Sequence, residues 1–172
     1  MSSQKSQIRT NEMEVIFDAI SRNESFARVA VAAFVTHLNP TLEELADVKT
    51  AVSEAVTNAI IHGYENLEGY GIHGERPAAQ SGEHPGKVRL KCVLEGDVIH
   101  IEVEDTGRGI ANLEQAMEPL FTTRPELDRS GMGFSFMEAF MDDLDVQSEP
   151  GKGTLVRMMK KLGTTAWIEC EE

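Results

Sequence analysis

The residues best suited to chemistry in this chain begin with a carboxylate and an amide one helical turn apart, Glu54 and Asn58. Apolar residues recur at helical spacing from Leu42 to Ile60, so this segment is predicted to be an amphipathic helix. On such a helix Glu54, Asn58 and His62 follow at i, i+4 and i+8 and share one face. A carboxylate can accept a proton and an amide oxygen can bind a hard cation, a pairing typical of metal-nucleotide chemistry. A solvated polar face has the same spacing, so the helix alone leaves both interpretations open.

A second motif follows a predicted strand. Residues 98–105 alternate between apolar and polar side chains, and parity puts Asp105 on the apolar face. An unpaired buried charge is costly, and the exocyclic amine of an adenine would give this carboxylate a partner. Gly107 and Gly109 follow directly and would let the backbone pass close to the base. The alternative is an ordinary aspartate at the mouth of a glycine-rich turn.

The third motif, Gly131, Met132, Gly133 and Phe134, stands directly before a helical pattern that runs to Leu144. Glycines at a helix start allow backbone N–H groups to face phosphate oxygens. A purely conformational role for such a glycine pair is also common. Together, and in this order along the chain, the three motifs predict an ATP site whose nucleotide contacts come from all three.

The elements that must position these motifs can be read from periodicity and turn residues. Thr41 and Glu44 form a capping-box pattern at the start of the second helix. The predicted elements are a strand over 12–20, a helix over 24–38, a helix over 42–62, a hairpin of strands over 87–95 and 98–105 about Gly96 and Asp97, a final helix, and a strand pair broken at 150–153 that ends near 162. This order predicts an α/β fold, a two-layer α/β sandwich in which a mixed sheet is covered by helices on one face.

Length and composition favour one cytoplasmic domain without a membrane span or a signal peptide. The net charge of −13 argues against direct nucleic acid binding and suits a basic protein partner, although solubility alone would also explain it. Cys92 and Cys170 are predicted to be free thiols. The expected organisation is a flexible N-terminus over 1–11, an ATPase/kinase domain over 12–162 with an inserted loop over 67–86 and an ATP lid over 110–130, and a C-terminal tail over 163–172.

Other nucleotide folds are excluded by their missing signatures. The Gly-Lys pair at 151 and 152 has Val146 in place of the first P-loop glycine and Gly153 in place of the required Ser or Thr. The dinucleotide fingerprint fails at Asn112, and no eukaryotic kinase signature is present. A helical hairpin with a phosphoryl-accepting histidine does not precede the first motif.

Four stretches, over 23–29, 52–64, 119–126 and 129–134, carry a resemblance to a known family. They resemble the anti-sigma F family of endospore-forming bacteria. The three motifs above look like the N, G1 and G2 boxes that this family shares with gyrase, the Hsp90 chaperone, sensor histidine kinases and MutL. The resemblance covers roughly residues 11–161, and its one large departure is the inserted loop.

This resemblance implies a histidine-kinase-like ATPase fold and a serine protein kinase that is also an anti-sigma factor. Glu54 would be the catalytic base, Asn58 would hold Mg²⁺, and Arg129 in the lid would stabilise the γ-phosphate of ATP. Thr122 and Thr123 of the lid would join the nucleotide-binding residues.

The same resemblance implies two protein partners and a homodimer. The phosphoryl acceptor would be a small anti-anti-sigma protein, and the second partner would be the sporulation sigma factor F. Arg28 on the first helix would contact the sigma factor, although a salt-bridging helix residue is the simpler interpretation. Two other functions stay open: a general-stress anti-sigma kinase of the same family, and a non-catalytic ATP-gated binding module.

Overall fold

The computed structural model describes residues 10–64, 86–118 and 132–163. Within them the strands are β1 (Thr10–Asp18), β2 (Lys87–Glu95), β3 (Val98–Asp105), β4 (Asp143–Glu149) and β5 (Gly153–Lys161). The α-helices are α1 (Arg22–Val35), α2 (Leu42–Asn58), α3 (Leu113–Met117) and α4 (Gly133–Phe140). A 3-10 turn, Thr36–Leu38, follows α1, and a π-helical turn, Ala59–Gly63, continues α2. β1 begins and ends two residues earlier than the sequence pattern suggested.

The strands form one sheet in the order β1-β2-β3-β5-β4. One face carries the alternate apolar residues of β2, β3 and β5, which form a single core with residues of α1, α2 and α4. This confirms the two-layer α/β arrangement. One detail needs correction: each of the four strand pairings is antiparallel, so the described sheet is not mixed. The predicted β2–β3 hairpin is present, and Gly96 adopts a φ of 65° in its turn.

The long central helix begins as its sequence predicts. The Thr41 side chain accepts a hydrogen bond from the Glu44 N–H at 3.1 Å, and the Glu44 carboxylate accepts one from the Thr41 N–H at 2.7 Å. This capping box satisfies two N–H groups that lack a partner within the helix. Its apolar stripe is fully buried at Val48, Val52 and Val56, so α2 is the central support of the helical layer.

The last helix is shorter than expected. Apolar spacing extended it to Leu144, but α4 ends at Phe140 and Leu144 lies in β4. The Asp142 N–H bonds to the Met159 carbonyl of β5 at 2.8 Å, so sheet pairing begins where the helical pattern would have continued. The helix-like spacing of Leu144 was coincidental, because every second residue of β4 also faces the core.

The other face of the sheet carries a series of charged side chains. Arg89 of β2 forms ion pairs with Glu14 of β1 and with Glu102 and Glu104 of β3, and Arg157 extends the series across β5. Such exposed pairs contribute little individually to stability. In the described part of the chain, no helix has the length and apolar character needed to cross a membrane.

Candidate nucleotide site

The first and third sequence motifs meet where α2 passes the start of α4. A methyl group added at Gly133 would lie 3.2 Å from Oε2 of Glu54 and 3.1 Å from Nδ2 of Asn58. Both polar side chains are half-buried and reach the helix start. Because the first intrahelical bond of α4 runs from the Phe136 N–H to the Met132 carbonyl, the three preceding N–H groups have no partner within the helix. A carboxylate, an amide and a helix N-terminus are thereby brought together.

The polar face of α2 does not continue regularly to His62. The chain changes from α-helical to π-helical bonding at Ala59, and a π-turn takes more residues than an α-turn. The i, i+4, i+8 relation therefore holds for Glu54 and Asn58 but is altered at His62. Single π-turns occur often at functional sites, and this one lies between the catalytic candidates and the second motif.

Asp105 ends β3 on the core side of the sheet, as strand parity predicts, and only 5% of its surface is exposed. Its Oδ1 accepts a hydrogen bond from the Gly107 N–H at 2.9 Å. Burial raises the pKa of Asp105 from 3.8 to about 6, although backbone hydrogen bonds from Gly107 and Thr154 oppose the rise. The carboxylate is thus buried with backbone donors and no described cationic side chain paired with it. A ligand amine would be a favourable further partner.

The glycines after Asp105 are required by close contacts of the backbone. A methyl group at Gly107 would lie 2.3 Å from the Gly63 carbonyl oxygen, and one at Gly109 would lie 2.1 Å from the Glu149 carbonyl oxygen. Gly109 also has a φ of 68°, which side-chain-bearing residues rarely adopt. The loop is therefore held between the end of α2 and the β4–β5 turn.

Three residues that the motifs did not single out hold this loop. The Ser148 hydroxyl accepts a hydrogen bond from the Ile110 N–H at 2.8 Å and donates one to the Gly153 carbonyl at 3.0 Å. Tyr64 and Arg108 connect the loop to the end of α2 through hydrogen bonds. The sequence signal for Tyr64 was its position directly after the helix-ending glycine, whereas Ser148 had none, because its role depends on the pairing of β4 with β5.

Some predicted residues lie away from this site or outside the described residues. Arg28 lies on α1, where it pairs with Glu24 at 3.7 Å. The Glu24 carboxylate also accepts a hydrogen bond from Ser53, the neighbour of Glu54, at 2.6 Å. Cys92 is a buried free thiol, and burial raises its pKa to about 12. Five of the residues singled out from the sequence lie outside the described ranges: Thr122, Thr123, Arg129, Gly131 and Cys170.

Comparison with known proteins agrees with this geometry. Residues 19–160 match the family model of the histidine kinase-like ATPase domain. A solved structure of RsbU and RsbW domains from Mycobacterium tuberculosis superposes with a TM-score of 0.57 at 18% identity, over 88% of this chain and 32% of that chain. At this identity the likeness supports the fold alone.

Curated relatives match over nearly their whole length. An anti-sigma F factor of Thermoanaerobacter sp. (strain X514) is 54% identical over 90% of this chain and 96% of its own. The anti-sigma F factor of Bacillus subtilis (strain 168) is 52% identical over 88% of this chain and 93% of its own. One from Clostridium beijerinckii is 53% identical over 91% of this chain and 98% of its own. The chain belongs to the histidine kinase-like ATPase family and, within it, to the family of the anti-sigma F factors.

Proposed function

We propose that this protein is an ATP-dependent serine protein kinase and an anti-sigma factor. It would bind and inhibit the sporulation sigma factor F and phosphorylate the anti-anti-sigma protein that antagonises this inhibition. The observation that carries the proposal is the meeting of Glu54 and Asn58 with the N-terminus of α4, with Asp105 buried at the end of β3. Family membership supports this class of partners.

The proposed nucleotide contacts follow from the chemistry of the residues. Asp105 would accept a hydrogen bond from the adenine amine, and the close-packed loop through Gly107 and Gly109 would pass under the base. The N–H groups at the start of α4 would face phosphate oxygens. Asn58 offers an oxygen to Mg²⁺, which commonly keeps only one or two protein ligands beside the phosphates. When bound, the cation would neutralise charge on the β- and γ-phosphates.

The chemical step would transfer the γ-phosphoryl group to a serine of the acceptor. The serine oxygen forms the new bond to phosphorus while the bond to the leaving ADP oxygen breaks, and the Glu54 carboxylate takes the hydroxyl proton. Half-burial of Glu54 beside the helix start would keep it within reach of that hydroxyl. Arg129 would stabilise charge on the transferred group, a contribution of about 10³ to 10⁵ in rate for arginines in other phosphoryl-transfer enzymes.

The proposed protein contacts use other surfaces. Arg28 is a candidate sigma-factor contact, and its link through Glu24 to Ser53 connects that surface to the helix that carries Glu54. A homodimer is part of the proposal because the family resemblance implies one.

The decisive experiment incubates the purified chain with radiolabelled ATP, Mg²⁺ and a candidate acceptor. We expect label to enter the sporulation anti-anti-sigma protein, and none to enter the same acceptor with its target serine changed to alanine. Parallel incubation with a general-stress anti-anti-sigma protein separates the two kinase hypotheses. Binding of ATP without transfer to any acceptor would favour the non-catalytic module.

A further inference from the structure

The loop that follows β3 contacts the C-terminal end of the helical segment formed by α2 and its π-helical turn. The Arg108 N–H donates to the Gly63 carbonyl at 3.0 Å, and the Arg108 Nε donates to the His62 carbonyl at 2.6 Å. Carbonyls in the last turn of a helix lack intrahelical partners, so these bonds satisfy groups that would otherwise need water. The close contact of Gly107 with Gly63 adds direct packing of the two backbones. The loop and the helix end therefore form one unit.

Tyr64 adds a side-chain link at the same place. Its hydroxyl accepts a hydrogen bond from the Thr106 N–H at 2.9 Å and donates one to the Lys87 carbonyl at 2.7 Å. A third neighbour, the Thr106 hydroxyl, lies 3.2 Å away, so both the donor and the acceptor capacity of the phenol are used. The ring lies against Gly86, where a methyl group would fall 2.1 Å from a ring carbon. One side chain thus holds the residue after Asp105 to the start of β2.

This link determines where the Asp105 carboxylate lies relative to α2. Thr106 follows Asp105 directly, and Oδ1 of Asp105 would lie 2.9 Å from a methyl group at Gly63. Glu54 and Asn58 are on the same continuous helical segment as Gly63. The separation between the base-recognising carboxylate and the catalytic pair is therefore set at Gly63, Tyr64 and Thr106.

We propose that Tyr64 is a positioning residue for base selectivity, because its hydroxyl holds the loop that carries Asp105 against the end of α2. The inference rests on the proposed function only in placing adenine at Asp105. The hydrogen bond that the adenine amine donates to Asp105 weakens steeply once it is strongly bent, so a loop free to shift would bind adenine less well. Phosphate contacts at α4 would be unaffected, since they do not involve this loop.

The test is Tyr64→Phe, which removes the hydroxyl and keeps the ring against Gly86. Titration calorimetry gives the dissociation constants of ADP and GDP for each protein at a temperature where melting curves show it folded. We expect the ADP constant to rise about tenfold, the worth of one well-aligned hydrogen bond to a charged group. The GDP constant should change less than twofold, so the preference for adenine falls. Turnover at saturating ATP should stay within twofold, because uniform binding is lost rather than transition-state binding.

The matched control is Ile99→Val, which removes one buried methyl group at the opposite end of β3 from Asp105. It should lower the melting temperature and leave the ADP/GDP ratio unchanged. A Tyr64→Phe protein that melts lower but keeps the wild-type ratio would make Tyr64 a structural support only and overturn the inference.

If Tyr64→Phe does not fold, Arg108→Ala tests the same contact between the loop after β3 and the end of the helical segment. It removes the Nε bond to His62 and keeps the main-chain bond to Gly63, so we expect a smaller fall in the same ratio, and an unchanged ratio would again refute the inference. A wild-type protein without preference for adenine would instead overturn the assignment of Asp105, and this inference with it.

Discussion

Replacement of Asp105 by asparagine should abolish nucleotide binding and, at the same time, stabilise the nucleotide-free protein. Asparagine has nearly the same shape and retains an oxygen that can accept the Gly107 N–H, so the loop should keep its conformation. What changes is charge. Asp105 is a buried carboxylate whose pKa rises from 3.8 to about 6, chiefly because burial disfavours its ionised form.

The magnitude follows from this shift. A pKa raised from 3.8 to about 6 corresponds to about 3 kcal/mol of unfavourable free energy for keeping the ionised group in the folded state. The neutral amide avoids that cost, but its NH₂ group cannot accept a hydrogen bond, whereas the carboxylate accepts backbone hydrogen bonds from both Gly107 and Thr154. We therefore expect the variant to gain about 1 to 3 kcal/mol in its free energy of unfolding at pH 7.5.

The sign of this change in the free energy of unfolding can be checked by its dependence on pH. Between about pH 4 and pH 6 the folded state binds more protons at Asp105 than the unfolded state, so this group lowers stability as pH rises through that window. The stability of the variant relative to wild type should thus be lowest below pH 4, grow by about 3 kcal/mol between pH 4 and 6, and be constant above. Other carboxylates cancel in the difference.

The assay is urea unfolding of the nucleotide-free proteins across this pH range, followed by melting with and without ATP. ATP at a hundred times its Kd should stabilise the wild type by about 2.7 kcal/mol and the variant not at all. Asp97→Asn, at the exposed hairpin turn, is the control and should change stability by less than about 0.5 kcal/mol. A variant less stable than wild type at pH 7.5 would refute the desolvation argument, and an unchanged ATP shift would refute the adenine assignment.

Three further predictions concern catalysis, the inserted loop and the partners. Glu54→Gln should keep its ATP affinity, while the rate of acceptor phosphorylation falls by roughly 10² or more. The control is Glu43→Gln, the same change in the exposed first turn of α2. Wild-type turnover in Glu54→Gln would exclude Glu54 as the base. Shortening residues 69–84 to a Gly-Ser turn should leave the melting temperature and acceptor phosphorylation nearly unchanged. The Tyr64 hydrogen bond to Lys87 already joins the residues on either side of this segment, and loop entropy varies by only about 0.6 kcal/mol per doubling of length. A large loss of melting temperature or of phosphorylation would mean that the segment contacts a partner or the dimer. The sigma factor should bind the ATP form more tightly, and the unphosphorylated anti-anti-sigma protein should bind the ADP form more tightly. By linkage, each partner should in turn raise the affinity for the nucleotide that favours it. Equal partner affinities for the ATP and ADP forms would make the nucleotide a substrate only.

The sequence by itself determined the local elements and the side chains they present. The capping box and apolar stripe predicted α2, alternation predicted β3, and strand parity alone placed Asp105 on the buried face. These inferences succeed because each depends on a periodicity of one element, which the chain carries whatever its neighbours are. The relation of Glu54 to Asn58 was predictable for the same reason.

Only the tertiary structure decided how these elements meet. Periodicity could not tell that α4 gives way to β4 before Leu144, because a residue at the end of a helix and one on a strand can face the same core. The π-turn after Asn58 and the hydroxyl of Tyr64 on Thr106, 42 positions away, are equally hidden from local pattern. Such features depend on sheet pairing and close packing between distant segments, which arise only when the whole chain is folded.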